Sequence, residues 1–287
     1  MKPSIAGTIA SQILLLLPAA AVFLLFLALP MLSVVLESFR TYVPGRIGTM
    51  KGGPLTLDNY ADLISPAYVR YFAQTYFLAF LSSIIATVVA FPIAYYIVRN
   101  ASGNVRRIWM FFLIGLMFLS ALVRIYAVQL TLGPVSIFAP VLSFIGVDTN
   151  GYVYVNAVVV AGLLHYEVPM AVVILMGSVL HLNPRLTEAA QSLGASVLQA
   201  HLTVTVPLCI KGLVSAFLVS MTVGAAAFAI PWILGRGRIL FVSNLIYTRL
   251  ADLGNSPSGA AIAIVMTIIS FFLIFTLSRL TSLLDRT

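Results

Sequence analysis

The sequence predicts an all-α integral membrane fold with six transmembrane helices, and three observations carry that prediction. The 287-residue chain is 61% hydrophobic and only 8% charged, where a soluble domain carries about a quarter charged residues. Its apolar residues gather in six runs, each near the ~20 residues a helix needs to cross a bilayer core. Between the fourth and fifth runs lies a short polar stretch, Asn183 to Gly194, patterned as an amphipathic helix. With no break in composition, the whole of 1–287 reads as a single transmembrane domain.

The runs cover roughly 13–36, 72–98, 108–132, 154–180, 209–232 and 259–281. Lys2 precedes the first, but Ile13 to Leu36 exceeds the apolar core of a signal peptide, about 7–15 residues, and no small-x-small cleavage site follows. It reads as an uncleaved span. The loop 37–71 carries Pro44, Gly45, Gly48, Gly52, Gly53 and Pro54, then a short helix is expected after Asp58. The connection 133–153 is apolar for a loop, with Ile137, Phe138, Val141 and Phe144. It suits a segment that dips into the membrane or packs across helix ends.

Charge orients the bundle only locally. With the N-terminus inside, inner segments hold eight Lys or Arg residues, from Lys2 to Arg286, and outer segments hold seven, including Arg46 and Lys51. The loop 99–107, with Arg99, Arg106 and Arg107, favours the inner face, and the arginine-free 133–153 favours the outer. Both termini are therefore expected in the cytoplasm. The net charge of +8 forms no clustered basic face, so nucleic acid is not an expected partner.

The polar stretch is built like a helix with both ends written in. Asn183 suits the N-cap, Pro184 the first helical position and Gly194 the left-handed stop. Leu186, Ala189, Ala190 and Leu193 fall at i, i+3, i+4 and i+7, one apolar stripe. Ser196-x-x-Gln199 reads as a capping box opening a second short helix. Such a helix-turn-helix is shaped to plug into another protein, although the stripe could instead pack under its own spans.

Two ionisable groups fall inside runs. Glu167 lies roughly 20 Å along the fourth span, near the midplane, where a carboxylate costs about 2.5–3.5 kcal/mol. Three readings are open: a counter-charge for a cationic solute, a pair with Arg124 of the third span, or a protonated group bonded to His165 or Tyr166. Arg124 suits either an anionic group or the carbonyls of a neighbouring loop. Cys209 stands alone, and His165, His181 and His201 have no metal-ligand spacing, so no metal or cofactor is expected. No phosphate loop and no nucleophile elbow occurs. Any nucleotide chemistry must come from a partner.

Glu188-Ala189-Ala190, Gly194, nine further residues and then Val204-x-Val206-Pro207 resemble the pattern E-A-A-x-x-x-G-x9-I-x-L-P. That pattern marks the membrane subunits of binding-protein-dependent ABC importers. Arg124-Ile125-Tyr126-Ala127, Pro231-x-x-Leu234-Gly235, Leu245-Ile246-Tyr247 and Asn255-x-Pro257-x-Gly259-Ala260-Ala261 look like the spermidine/putrescine-type branch, so the likeness runs from about 57 to 281. The chain departs from that branch at Val128, at Glu167-Val168-Pro169, and at Ser256 and Ser258. These departures bear on the solute, not on the transporter class.

The resemblance implies a type I ABC importer permease (MetI-like) architecture in the bacterial inner membrane. It implies two ABC ATPases, a second permease subunit making a heterodimer, and a periplasmic substrate-binding protein as partners, with membrane lipid around the bundle. The segment 181–208 would couple to the ATPase, the stripe anchoring in a cleft and Glu188 pairing with a basic group. Pro207 would begin span five afresh. Glu167, Tyr166, Arg124 and Tyr126 are the candidate pathway residues. Gly235, Arg236 and Arg238 suit contact with the binding protein, or with lipid headgroups. A polyamine is the leading solute, with opines, amino-acid-like compounds and aminophosphonates as alternatives. An ion-coupled secondary transporter should show internally repeated halves and midplane ionisable pairs, and a membrane enzyme should show a catalytic cluster. The sequence has neither, so the chain is expected not to be an enzyme.

Overall fold

The computed structural model describes residues 17–45 and 54–284. Lys2, the start of the first run at 13–16, Arg46, Gly48, Lys51, Gly52, Gly53 and Arg286 lie outside the described residues. In chain order the helices are α1 (Leu17–Ser38), α2 (Asp58–Asp62), α3 (Pro66–Arg99), α4 (Gly103–Phe118), α5 (Ala121–Leu132), α6 (Ala139–Phe144) and α7 (Tyr152–His181). They continue as α8 (Pro184–Ser192), α9 (Val197–Leu208), α10 (Ile210–Ala225), α11 (Ala229–Leu234), α12 (Val242–Tyr247) and α13 (Ser256–Leu284). The β-structure among the described residues is one isolated antiparallel bridge, Arg40 with Leu55.

Among the described residues four helices, α1, α3, α7 and α13, are each long and apolar enough to cross a membrane, and counting each of two bent pairs as one span brings the number to six. The bends correct the sequence reading. The expected third span is two helices, α4 and α5, set at 95°. Leu119 and Ser120 are extended there (ψ 135° and 134°), which ends one helix and lets the next begin. The expected fifth span, 209–232, stops at Ala225 and restarts as α11. Pro231 has no N–H to give the carbonyl four residues back. That carbonyl, on Ala227, instead accepts from Ser243 Oγ at 2.6 Å, and Phe228 O accepts from Asn244 Nδ2 at 2.9 Å. Pro207 does not open the fifth span. The helix runs through it, and the chain turns by 73° at Cys209, two residues later.

The chain forms two compact units. One comprises the described residues through Tyr68 together with Leu245–Thr267. In it Asn59 Nδ2 donates to the carbonyls of Ser38 and Arg40, both at 2.9 Å, and Tyr42 OH donates to Leu253 O at 2.9 Å. The short helix expected after Asp58 is α2, tied down by Asn59 and by Tyr60, whose OH lies 2.6 Å from Ser38 Oγ. Asn255 caps α13 by accepting from the Ser258 N–H at 3.1 Å.

The second unit runs from Val69 to Asn244 with Ile268 onward. Helix α7 is its core, the most buried of the long helices, with apolar residues distributed around all its faces. Toward its N-terminal end it packs with Leu78, Ile125, Leu234 and Phe241, and toward its C-terminal end with Ala94, Leu113, Cys209 and Ala216. Helix α10 lies along it at close range because glycines remove side chains from the seam. A Cβ on Gly212 would come within 1.9 Å of Ser178 Oγ, and one on Gly224 within 2.5 Å of Glu167 Oε1. The connection 133–153 holds α6, with Val135, Ile137 and Phe144 largely exposed.

Candidate functional site

The elbow formed by α8 and α9 is capped as its residues dictate. Asn183 Oδ1 accepts from the Arg185 N–H at 3.1 Å, and Pro184 occupies the first turn. Gly194 has φ +93°, the left-handed stop. The Ala195 N–H then closes on Ala190 O at 3.1 Å. Ser196 and Gln199 complete a reciprocal capping box at 3.3 Å and 3.0 Å.

The faces of this helix settle where the stripe goes. Leu186 and Leu193 are 46% and 90% exposed, Glu188 and Ala189 are exposed, and Ala190 is half-buried. The stripe does not pack under the chain's own spans. The residue that faces inward is Thr187, 3% exposed, whose Oγ1 lies 3.1 Å from Oγ1 of the fully buried Thr205. Thr205 Oγ1 is also 3.0 Å from His201 Nδ1, and the His201 ring stands edge-on to Tyr95 of α3, centroids 4.7 Å apart. A polar chain thus links the back of α8 through α9 to α3. Sequence reading misses Thr187, Thr205 and His201, because nothing local marks two threonines eighteen residues apart as a pair. Beside the elbow, Arg99 Nη2 donates to the carbonyls of Val179, at 2.6 Å, and Leu182, closing the C-terminus of α7.

Near the middle of α7 the candidate pathway residues separate. Glu167 is fully buried and its Oε1 accepts from Ser82 Oγ at 3.0 Å. Its partner is neither Arg124 nor His165 nor Tyr166, and it lines none of the cavities described below. Arg124 and Tyr166 do come together, the guanidinium carbon 4.5 Å from the ring centroid. Both line a cavity of about 390 Å³. Tyr126 is exposed and turned elsewhere on α5. A larger cavity of about 800 Å³ lies between α3 and α7, with Arg70, Gln74 and Asn156 at one end and an apolar remainder. A third, of about 510 Å³, lies between α3 and α9 and includes Tyr95, Tyr96 and His201.

The Gly235-Arg236-Gly237-Arg238 turn grips the loop before α7. Arg236 Nη1 donates to Thr149 O at 3.0 Å, and Arg238 Nη1 donates to Asn150 O. Arg236 holds φ +53°, uncommon for a residue with a side chain. Partial burial pulls its pKa below the ordinary arginine value, Tyr154 works against that pull, and Arg238 adds to it. Gly235 is required by close approach, since a Cβ would come within 2.0 Å of Ile239 O. Among the described residues no group of three or more His, Cys, Asp or Glu could hold a metal ion.

No protein-family model matches the chain. It is 28% identical to the spermidine/putrescine transport system permease protein PotB of Escherichia coli strain K12 over 264 residues, covering 91% of this chain and 94% of that one. PotB of Haemophilus influenzae is 27% identical with 91% of each covered. The inner membrane ABC transporter permease protein YdcU of Escherichia coli is 26% identical over 235 residues, with 77% and 75% covered. Among solved structures, a chain of a bacterial alginate ABC transporter in complex with an alginate pentasaccharide-bound periplasmic protein superposes with a TM-score of 0.73 at 18% identity, covering 94% and 93%. The fold is therefore that of an ABC transporter permease.

Proposed function

We propose that the chain, a homologue of ABC importer permeases, is one of two membrane subunits of an ATP-driven importer in the bacterial plasma membrane. It moves a small solute of the polyamine or related amine class from periplasm to cytoplasm. Two ABC ATPases supply the energy, a second permease completes the pathway, and a periplasmic binding protein delivers the solute. The chain itself is a transport subunit and not an enzyme. Both termini face the cytoplasm, with the Gly235–Arg238 turn on the outer side, where Arg236 and Arg238 shape the loop presented to the binding protein.

One observation carries this reading: the apolar stripe of α8 faces outward while its back is pinned by Thr187 and Thr205. A helix that exposes Leu186 and Leu193 and anchors through the opposite side is built for a groove in another protein. Glu188, exposed beside the stripe, is placed to meet a basic group there. Nucleotide shifts the inward and outward states only through its differential affinity for them. The contact from Thr187 through Thr205 and His201 to Tyr95 gives that shift a route into α3.

The test is co-purification. Leu186→Asp with Leu193→Asp should abolish capture of the cognate ATPase while the permease still elutes as folded protein, because both side chains are already exposed. Undiminished ATPase capture by that double variant, or solute uptake by the purified permease pair without any ATPase, would reject the proposal.

A further inference from the structure

Two helix breaks meet at one depth. Helix α5 starts after the extended pair Leu119–Ser120, and α11 starts after the break at 226–228. Both reach α7 near Gly162 and Tyr166, and Tyr166 lies about halfway along the thirty residues of α7, roughly 20 Å from its start. Irregular backbone at membrane depth is tolerated where it is buried in protein or lines a cavity. Here it lines the cavity of about 390 Å³, walled by Ala121 and Arg124 of α5, Gly162 and Tyr166 of α7, and Ala227 and Phe228 of the break. That volume suits a small organic molecule.

The charged group in its wall is a cation. Arg124 is 5% exposed, and its Nε is buried without a hydrogen-bond partner. The Tyr166 ring orients the guanidinium but brings no opposite charge. Glu167, next in sequence to Tyr166, is turned away, bonded to Ser82 and closed in by Gly224. Among the described residues no carboxylate pairs with Arg124. A charge inside a membrane bundle ordinarily has a counter-charge. The two cavities reached from α7, of about 390 Å³ and 800 Å³, are walled by Arg124 and Arg70 and by no Asp or Glu. A bare polyamine finds no anionic partner in either.

We infer that this cavity is a solute site reading a carboxylate, with the Arg124 guanidinium as the recognising group and Tyr166 as the residue that aims it. The transported solute then carries an anionic group beside its amine. This keeps the related amines of the class proposed above, sets the bare polyamines aside, and rests on the reading of the chain as an importer permease. Arg124 binds a planar carboxylate through two parallel N–H donors, which a lysine ammonium cannot reproduce.

The test uses the assembled permease–ATPase complex in nanodiscs, without the binding protein, so that only the membrane cavity selects. Equilibrium binding is measured for δ-aminovalerate, for putrescine, which has the same methylene chain and an amine at each end, and for valerate, which lacks the amine. Saturable δ-aminovalerate binding tighter than that of putrescine is expected, and Arg124→Gln should weaken it about ten- to a hundredfold. Arg124→Lys, which keeps the charge, should fall between. Binding of valerate as tight as δ-aminovalerate would assign the site to a separate anion and overturn the claim about the solute. The proposal is also overturned if putrescine binds as well or better, if Arg124→Gln leaves δ-aminovalerate binding unchanged, or if none saturates. Should Arg124→Gln fail to assemble, the assembled Arg124→Lys decides, since loss of putrescine and δ-aminovalerate binding in equal measure overturns it. ATPase capture by the wild-type complex is read separately, so its failure would reject the importer reading whatever the cavity binds.

Discussion

Glu167 accepts one hydrogen bond, from Ser82, and its other oxygen, Oε2, is buried without a partner. The sequence places this carboxylate about halfway along its helix, because that position follows from counting residues. Its surroundings come from α3 and α10, eighty-five residues before it in one case, and no local pattern shows them. The surroundings argue for a packing role. Glu167→Gln keeps the shape and an acceptor for Ser82, so solute uptake and thermal stability should both stay near wild type. A loss of uptake with stability intact would return Glu167 to the pathway. Gly224→Ala should act more strongly, because its methyl would meet Oε1 at 2.5 Å with α10 already seated on α7. Overpacking of this kind costs about 1–3 kcal/mol, readable as a lowered melting temperature of the purified protein in detergent.

At the scale of elements, the elbow and the broken spans differ in how far they can be read. Asn183, Pro184, Gly194 and the Ser196–Gln199 box act within a single turn, so the sequence alone locates both ends of α8. The breaks at 119–120 and 226–228 fall within runs that look continuous by hydropathy, since carbonyls freed by a break are satisfied by side chains from elsewhere. Ser243 and Asn244 do this at the second break. Gly194→Ala puts a Cβ at φ +93°, which costs about 1–2 kcal/mol and should loosen the elbow without unfolding the spans. Limited proteolysis would detect it as new cleavage near 192–197. Thr187→Val and Thr205→Val together form a double-mutant cycle on a buried pair. The interaction energy should be about 0.5–1.5 kcal/mol, and ATP hydrolysis in the complex should run on while uptake falls. If the two substitutions are additive, the pair conveys nothing.

Across the whole molecule, the fold class follows from composition and six apolar runs, but the inner and outer faces do not, because positive charges divide almost evenly. The proposed docking would break that tie, since a helix that meets a cytoplasmic ATPase must lie inside. Ser192→Cys and Arg238→Cys should then react with a membrane-impermeant maleimide from opposite sides of sealed vesicles, while native Cys209, buried, stays silent. Labelling of both from one side would overturn the topology. Helix α1 buries nothing along its most apolar stretch.

Leu193, bare at the tip of α8, has a bearing on biogenesis. With the docking proposed above, a subunit synthesised ahead of its ATPases would carry a greasy hook into the cytosol, where chaperones and proteases survey such surfaces. Orphan copies are expected to be short-lived, and the pool of this protein should track the supply of the enzyme that covers the hook.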